Sequence, residues 1–331
     1  MRELKELFQF MQSHQGEPML MVTLVATEGS TYKKPGAKKL ILLDQKNCGL
    51  ISGGCLEQEI IDFALAEPAQ KRVLLLDTTE ESDPYFGSGV GCQGSLHLFF
   101  EPVRWEIPNT PLVYLGLSTS QKGRNYLMFD QNREDFGFRI CIEGDNQILF
   151  SDWTTSELPR PHQLFCDPWQ RDLHIKLVGA GVDTDPLYSL INTLGWDLQV
   201  FDYRQEWVQQ RLDQGWNIRY LSEGGLDPFL KPGANSVLLL MSHHYPYDLE
   251  VFSKTDLQWL SLIGVLGPQA RRQKLIDDRK NLYNSPLADE DLEKIHGPMG
   301  IDGMGRGESA IALSICAQLQ QFFFSGQEIQ I

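Results

Sequence analysis

Two cysteines stand in glycine-rich settings that suit sulfur or soft-metal chemistry. Cys55 closes the stretch Ser52-Gly53-Gly54-Cys55, and an apolar-periodic run from Leu56 to Ala66 follows at once, which predicts a helix. Glycines let backbone N–H groups approach an anion, and the start of a helix favours negative charge. The same field lowers a thiol pKa, so Cys55 is expected to be a thiolate near neutral pH. Cys92 lies in GVGCQG between Gly91 and Gly94, where no neighbouring side chain shields it. Taken singly, each stretch also reads as a tight turn over a small buried thiol. Two such loops in one chain suggest a soft-ligand or sulfur-handling site. Their separation of 37 residues sets no metal geometry by itself.

A second constellation resembles a dinucleotide site. HIKLVGAG is a strand running into a glycine turn, Gly179 and Gly181 open the loop, and Asp202 lies at the tip of the next strand, DLQVFD. Strand, glycine turn, helix and a strand with a terminal acid follow the Rossmann order. The third small position, however, is Thr184, and Asp183 and Asp185 bring negative charge to where a pyrophosphate would dock. Pro186 is expected at the first helical position with Asp185 as its cap, so the helix would start late. NAD(P) binding is therefore expected to be weak. His243 and His244 follow the apolar strand VLLLM at its carboxyl end, where α/β sheets bind ligands. Neighbours on an extended chain point apart, so His243 as a single hydrogen-bonding group stands beside the alternative of a metal pair. Arg271 and Arg272 read as the start of a solvated helix, with anion binding as the alternative.

These residues need elements to hold them. The first helix puts Leu4, Leu7, Phe8 and Met11 on one face. Met19 to Ala26 is too apolar for a solvent face and reads as a central strand. Alternation of strand and helix to about residue 100 implies a layered α/β domain, and residues 103–170 read as an extension of its sheet followed by a linker rich in Pro159, Pro161 and Pro168. The expected organisation is an N-terminal mixed α/β domain, 1–170, followed by a Rossmann-like doubly wound parallel-sheet domain, 171–331.

Charge and cysteine usage narrow the partners. The 331 residues carry 29 Lys+Arg against 44 Asp+Glu, a net charge of -15, which repels a nucleic-acid backbone. No apolar run reaches the roughly 18 residues of a membrane span. The N-terminus reads as an amphipathic helix rather than a signal peptide. Six cysteines without a CxxC pair fit neither a disulfide scaffold nor a zinc ribbon, and imply a reducing, cytoplasmic setting.

The two cysteine loops and the Rossmann series together resemble the XdhC/CoxI family, the xanthine dehydrogenase accessory factors. GSTYKKPGAK is similar to that family's GS-x-x-x-x-PG-A segment, ISGGCLE to its SGGCLE motif, and GVGCQG, followed by a strand and Glu101-Pro102, to its G-x-GCGG loop. SHHYPYD, LIGVLGPQARR and IHGPMGIDGMG resemble its later segments, while about 103–170 is unmatched. Val182-Asp183-Thr184, His244 and Pro268 depart from the pattern. The resemblance implies that the chain binds molybdenum cofactor (molybdopterin), assists its sulfuration and delivers it to a molybdenum hydroxylase such as xanthine dehydrogenase. A cysteine desulfurase would be a further partner, and a homodimer the expected assembly. Carried across, Cys55 and Cys92 are the reactive and metal-contacting positions. Ser52, Gly53, Gly54, Gly91 and Gly94 shape the cofactor-binding loops, and Glu57 orients a helix-end contact. The role is that of a maturation factor more than a turnover enzyme. The competing readings are an NAD(P)-dependent Rossmann oxidoreductase and a purely protein-binding scaffold.

Overall fold

Alternation of faces along the first strand organises the N-terminal part of the computed structural model, which describes residues 2–54, 56–77, 94–105, 123–130, 135–142, 147–151, 164–169, 173–222 and 236–324. In β1 (Met19–Gly29), Met19 and Met21 turn to one face and Leu20, Val22 and Leu24 to the other, all nearly free of solvent. The first face receives α1 (Arg2–Ser13) through Leu7 and Met11, and the second receives α2 (Glu57–Ala66) through Ile60, Ile61 and Ala64. A strand covered on both sides has no solvent face, so its run of apolar residues is continuous. Around it lie β2 (Lys38–Leu42), β3 (Asn47–Gly49), β4 (Arg72–Asp77) and β5 (Gly94–Val103), in the antiparallel order β3-β2-β1-β5-β4.

The next strands correct the expectation of an extended sheet and a linker. β6 (Gly123–Asp130), β7 (Asp135–Ile142), β8 (Gln147–Ser151) and β9 (Leu164–Trp169) form their own four-stranded antiparallel sheet, ordered β8-β7-β6-β9. Pro168 lies inside β9 opposite Arg124, and β9 is an edge strand, where the missing N–H interrupts no ladder. Leu127 and Phe165 of this sheet join the core under α1. Asp167 reaches the ammonium of Lys38, a pair in which both residues are buried. A second donor–acceptor contact runs from Lys38 Nζ to the carbonyl of Gly36 at 3.0 Å.

Beyond residue 173 every described strand is parallel. β10 (His174–Val178), β11 (Asp197–Asp202), β12 (Ile218–Tyr220), β13 (Ser236–Leu240), β14 (Leu260–Val265) and β15 (Ile295–His296) take the order β12-β11-β10-β13-β14-β15. Renumbered within the sheet this is 3-2-1-4-5-6, the doubly wound Rossmann arrangement. α3 (Asp185–Leu194) and α8 (Glu308–Phe324) cover one face, and α5 (Tyr245–Lys254) and α6 (Gln269–Tyr283) the other. α4 (Gln205–Asp213) and the short α7 (Asp289–Glu293) complete the series. The chain divides into two compact units, Glu3–Arg171 and Asp172–Gln327. Among the described residues no helix is long and apolar enough to cross a membrane.

The Lys38–Asp167 pair makes a stability prediction. Asp167→Ala takes one carboxylate partner from a buried ammonium and is expected to destabilise the first unit by about 3 kcal/mol. Replacing both residues with apolar ones, Lys38→Met with Asp167→Leu, should recover most of it. Denaturant titration of the three chains measures this; an Asp167→Ala loss well under 1 kcal/mol would show that the ammonium finds water instead.

Candidate functional site

In the first unit the Ser52–Gly54 turn is held from below by one carboxylate. Glu57, the first residue of α2, accepts at Oε1 from the backbone N–H of Ile51 (3.0 Å) and Ser52 (2.6 Å) and from the Ser52 hydroxyl (2.9 Å). Its Oε2 accepts from Lys39 Nζ at 2.8 Å. Lys39 is almost wholly buried, and it donates also to Asn47 Oδ1 at 2.8 Å. Ser52 Oγ in turn accepts from the N–H groups of Gly54 and Leu56, each at 3.3 Å. Burial works to raise the Glu57 pKa, but the donors on Lys39 and Ser52 outweigh it and hold the carboxyl below its ordinary value.

Above that base the turn is open. Gly54 has φ +113°, and a Cβ there would meet nothing within 4 Å among the described residues. Gly53 lies against the ring of Tyr32, whose side chain is 62% exposed. Tyr32 and Lys39 were not among the residues singled out by type and spacing. An exposed aromatic beside a glycine pair is a signal the sequence carries, but the contact between them is made only by the fold. Gly94 pairs with Gly29 in the β1–β5 ladder, where a Cβ would come within 2.4 Å of the Glu28 carbonyl oxygen. Cys55, Gly91 and Cys92 lie outside the described residues. Of the other thiols, Cys48 and Cys316 are both pushed up by burial, Cys316 to about 12, and so are poor thiolates.

In the second unit the glycine loop sits at the point where strand order reverses, between β10 and β13. A Cβ on Gly179 would lie 2.4 Å from the Met241 carbonyl oxygen, so only glycine lets these strand ends pass. Asp202 is wholly buried. Its Oδ2 accepts from the Ala180 N–H at 2.8 Å and from Arg204 at 2.7 Å, and its Oδ1 accepts from the Arg204 backbone and Nε, both at 2.9 Å. Arg211 donates to the carbonyls of Ala180 and Gly181, at 3.2 and 3.1 Å, and pairs with Asp185 at 2.5 Å. The Asp183 carboxylate lies over Gly181, 2.4 Å from where a Cβ would be, and its other oxygen meets His243 Nε2 at 2.8 Å.

Two expectations change, the cap of this helix and the solvated setting of Arg271 and Arg272. The helix begins at Asp185, after a 3₁₀ turn over Val182–Thr184, so Pro186 is its second residue and Thr184, not Asp185, precedes it. Asp185 is drawn to Arg211 instead, while the Thr184 hydroxyl donates to Gly181 O at 2.7 Å. His243 and His244 diverge: His243 turns to Asp183, and His244 stacks on Tyr203 with ring centroids 5.0 Å apart. No cluster of three or more metal-ligating side chains occurs among the described residues. Arg271 and Arg272 are not a solvated helix start. Arg271 donates to the wholly buried Asp248 at 2.7 Å, and Arg272 to the carbonyls of Ile295 and Leu292 at 2.8 and 3.3 Å. The Ser242 hydroxyl completes the hold on Asp248 at 2.6 Å. Burial raises the Asp248 pKa against these two donors.

A glycine turn on a layered antiparallel unit, in a chain whose other unit is a six-stranded parallel Rossmann sheet, defines a two-part α/β protein with two separate loop sites. The chain belongs to the XdhC and CoxI family: residues 13–77 match the model of that name, and residues 175–319 match the XdhC Rossmann domain. It is 25% identical over 323 residues to a probable xanthine dehydrogenase subunit of Bacillus subtilis (strain 168), covering 92% of this chain and 93% of that protein. It is 20% identical over 304 residues to the molybdenum cofactor insertion chaperone PaoD of Escherichia coli (strain K12), covering 92% and 83%. A crystal structure from Bacillus halodurans described as a xanthine dehydrogenase shares the fold, with TM-score 0.77, 23% identity and coverage of 100% of this chain and 98% of that one.

Each unit's loop yields a prediction. Glu57 has a depressed folded-state pKa, so its contribution to stability is complete above the ordinary carboxyl value of 4.5 and is lost as pH falls through the lowered one. Glu57→Gln should therefore flatten the acid limb of the stability–pH curve, read by thermal melts from neutrality down to about pH 3; an unchanged limb would mean other carboxylates set it. At the Rossmann loop, NAD is expected to bind weakly, and Asp183→Ala to tighten it about fivefold, the worth of ~1 kcal/mol of relieved repulsion. Calorimetry decides: micromolar affinity in the unaltered chain would show that the carboxylate does not obstruct the loop.

Proposed function

We propose that this chain is an accessory factor that binds molybdenum cofactor, assists its sulfuration and delivers it to a molybdenum hydroxylase of the xanthine dehydrogenase kind. The observation that carries the reading is the open glycine turn Ser52–Gly54, fixed from beneath by Glu57 and Lys39 and followed directly in sequence by Cys55. The names of the relatives, a cofactor insertion chaperone and a component of a xanthine dehydrogenase, support it. In this reading residues 1–170 hold the cargo and residues 171–331 form the Rossmann domain.

The cargo's chemistry suits these residues. It is an anionic, phosphate-bearing pterin dithiolene with a soft metal. Gly53 and Gly54 carry no side chains to keep its oxygens away from the backbone of the turn. A thiolate at Cys55 or Cys92 contacts the metal or its sulfur ligand. Tyr32, exposed against Gly53, offers a flat face for the pterin ring. A cysteine desulfurase is the class of partner that would bring the sulfur. The role is carriage and transfer, and the site belongs to the cytoplasm, where the client would be assembled.

The chain purified from cells that make the cofactor should carry molybdenum and pterin, quantified by elemental analysis and pterin fluorescence. Cys55→Ala and Cys92→Ala should each lower retention at least about tenfold, the effect of losing one contact worth ~1.4 kcal/mol, with the fold intact by circular dichroism. Alkylation of Cys55 should show a midpoint below the free-thiol value of about 8.5. Full molybdenum retention in the double cysteine variant would refute the assignment.

A further inference from the structure

The mouth of the Rossmann crevice lies between the carboxyl ends of β10 and β13, where strand order reverses and a bound dinucleotide would place its phosphates. One side chain from each strand end meets the other there. Asp183 comes from the turn after β10 and His243 from the turn after β13, and His243 Nε2 lies 2.8 Å from Asp183 Oδ2. An ionised carboxylate only accepts, so the ring nitrogen donates. The other carboxylate oxygen lies 2.4 Å from where a Cβ on Gly181 would be. Nucleotide-binding loops keep glycine at this position so that a pyrophosphate can approach the backbone. Here the space above the glycine holds an anion that the protein itself supplies.

The two halves of this contact are held differently. The Ser242 hydroxyl donates to the buried Asp248 at 2.6 Å and accepts from the His244 N–H at 3.1 Å, while the His244 ring stacks on Tyr203. His243 is fixed between these neighbours with φ +57°, a left-handed conformation uncommon for a residue that carries a side chain. Such strain persists only where the surroundings over-determine it. It aims a side chain that is 62% exposed across the crevice at Asp183. On the other side the turn is anchored by the next residue. Thr184 is wholly buried and gives both its N–H, at 3.0 Å, and its hydroxyl, at 2.7 Å, to the Gly181 carbonyl. The Asp183 carboxylate can therefore leave Gly181 by rotating about its own side-chain bonds, with the turn and the helix behind it in place.

We propose that Asp183 and His243 form an autoinhibitory clasp across the crevice: the carboxylate keeps the place of a ligand phosphate, and His243 passes to that phosphate when the carboxylate turns away. The site is then an anion site closed by an internal anion, and its ligand class is a pyrophosphate-bearing nucleotide. It belongs to the second unit and is independent of the cargo assigned to the first. Repulsion by Asp183 alone is a different arrangement, because His243 would then help a phosphate in every background. With the clasp, His243 obstructs while Asp183 is present and assists once Asp183 is gone.

NADH is the probe, titrated against the full chain by its fluorescence. His243→Asn suits the test, since asparagine tolerates the left-handed backbone and its shorter side chain stops short of Asp183. In the otherwise unaltered chain it should tighten NADH about threefold, because nothing then holds the carboxylate over Gly181. In the Asp183→Ala background the same substitution should weaken NADH about threefold, because the phosphate loses a donor. The His243 ring resonances should move on addition of NADH to the Asp183→Ala chain, with circular dichroism confirming the fold of each variant. An effect of the same sign in both backgrounds, or none in either, overturns the proposal. So does an Asp183→Ala chain that does not bind millimolar NADH, or one that binds it with the His243 resonances unmoved.

Discussion

Lys39 carries its charge into the interior of the first unit, and that ammonium has to be answered there. It leaves β2 between the sheet and α2, where water does not reach it, and Glu57 answers it with one carboxylate oxygen. The other oxygen is thereby positioned to gather the donors of Ile51 and Ser52. One ion pair thus ties the end of the sheet, the start of the helix and the turn between them. Breaking a buried pair by removing one partner is costly, because the remaining charge cannot leave. The turn consequently owes its shape to a charge buried beneath it and paired with Glu57.

The second unit uses the same device to the opposite effect. Asp202 and Asp248 are wholly buried carboxylates, one bound by Arg204 and Ala180, the other by Arg271 and Ser242. Arg211 takes the carbonyls of the glycine loop. Each of these contacts ties a loop at the carboxyl end of the sheet to something the protein itself supplies. The acid that a dinucleotide's ribose would address is already engaged, and Asp183 stands over Gly181. The fold of a nucleotide-binding domain is complete, while its polar groups are turned inward.

The order of elements was legible because it rests on local periodicity. β1 was readable as central from its unbroken apolar run, and the Rossmann series from strand, glycine and terminal acid. What could not be read were pairings between distant residues. Nothing near Lys38 in sequence announces Asp167, 129 positions away, and that contact belongs to a sheet whose sequence reads as extension and linker. Pro168 argued for a linker because the edge position that tolerates it is a property of the assembled sheet. The arginines after β14 looked solvated because α6 shows no apolar stripe, while their true partners, Asp248 and the carbonyls of Leu292 and Ile295, come from two other elements. Thr184 stands at the third small position of the dinucleotide pattern, and its hydroxyl donates back to the loop, a contact that spacing alone does not announce.

Trp207 lies between two guanidinium groups, that of Arg204 at 4.9 Å and that of Arg211 at 5.6 Å from the ring centre. The first of these arginines holds Asp202 and the second holds the carbonyls of Ala180 and Gly181. The indole is therefore in optical contact with both halves of the loop-end network. Cations over an aromatic face perturb its excited state, so any event that shifts either arginine changes the local field at one chromophore. Trp207 is thus a native chromophore set beside both arginines that hold the loop ends.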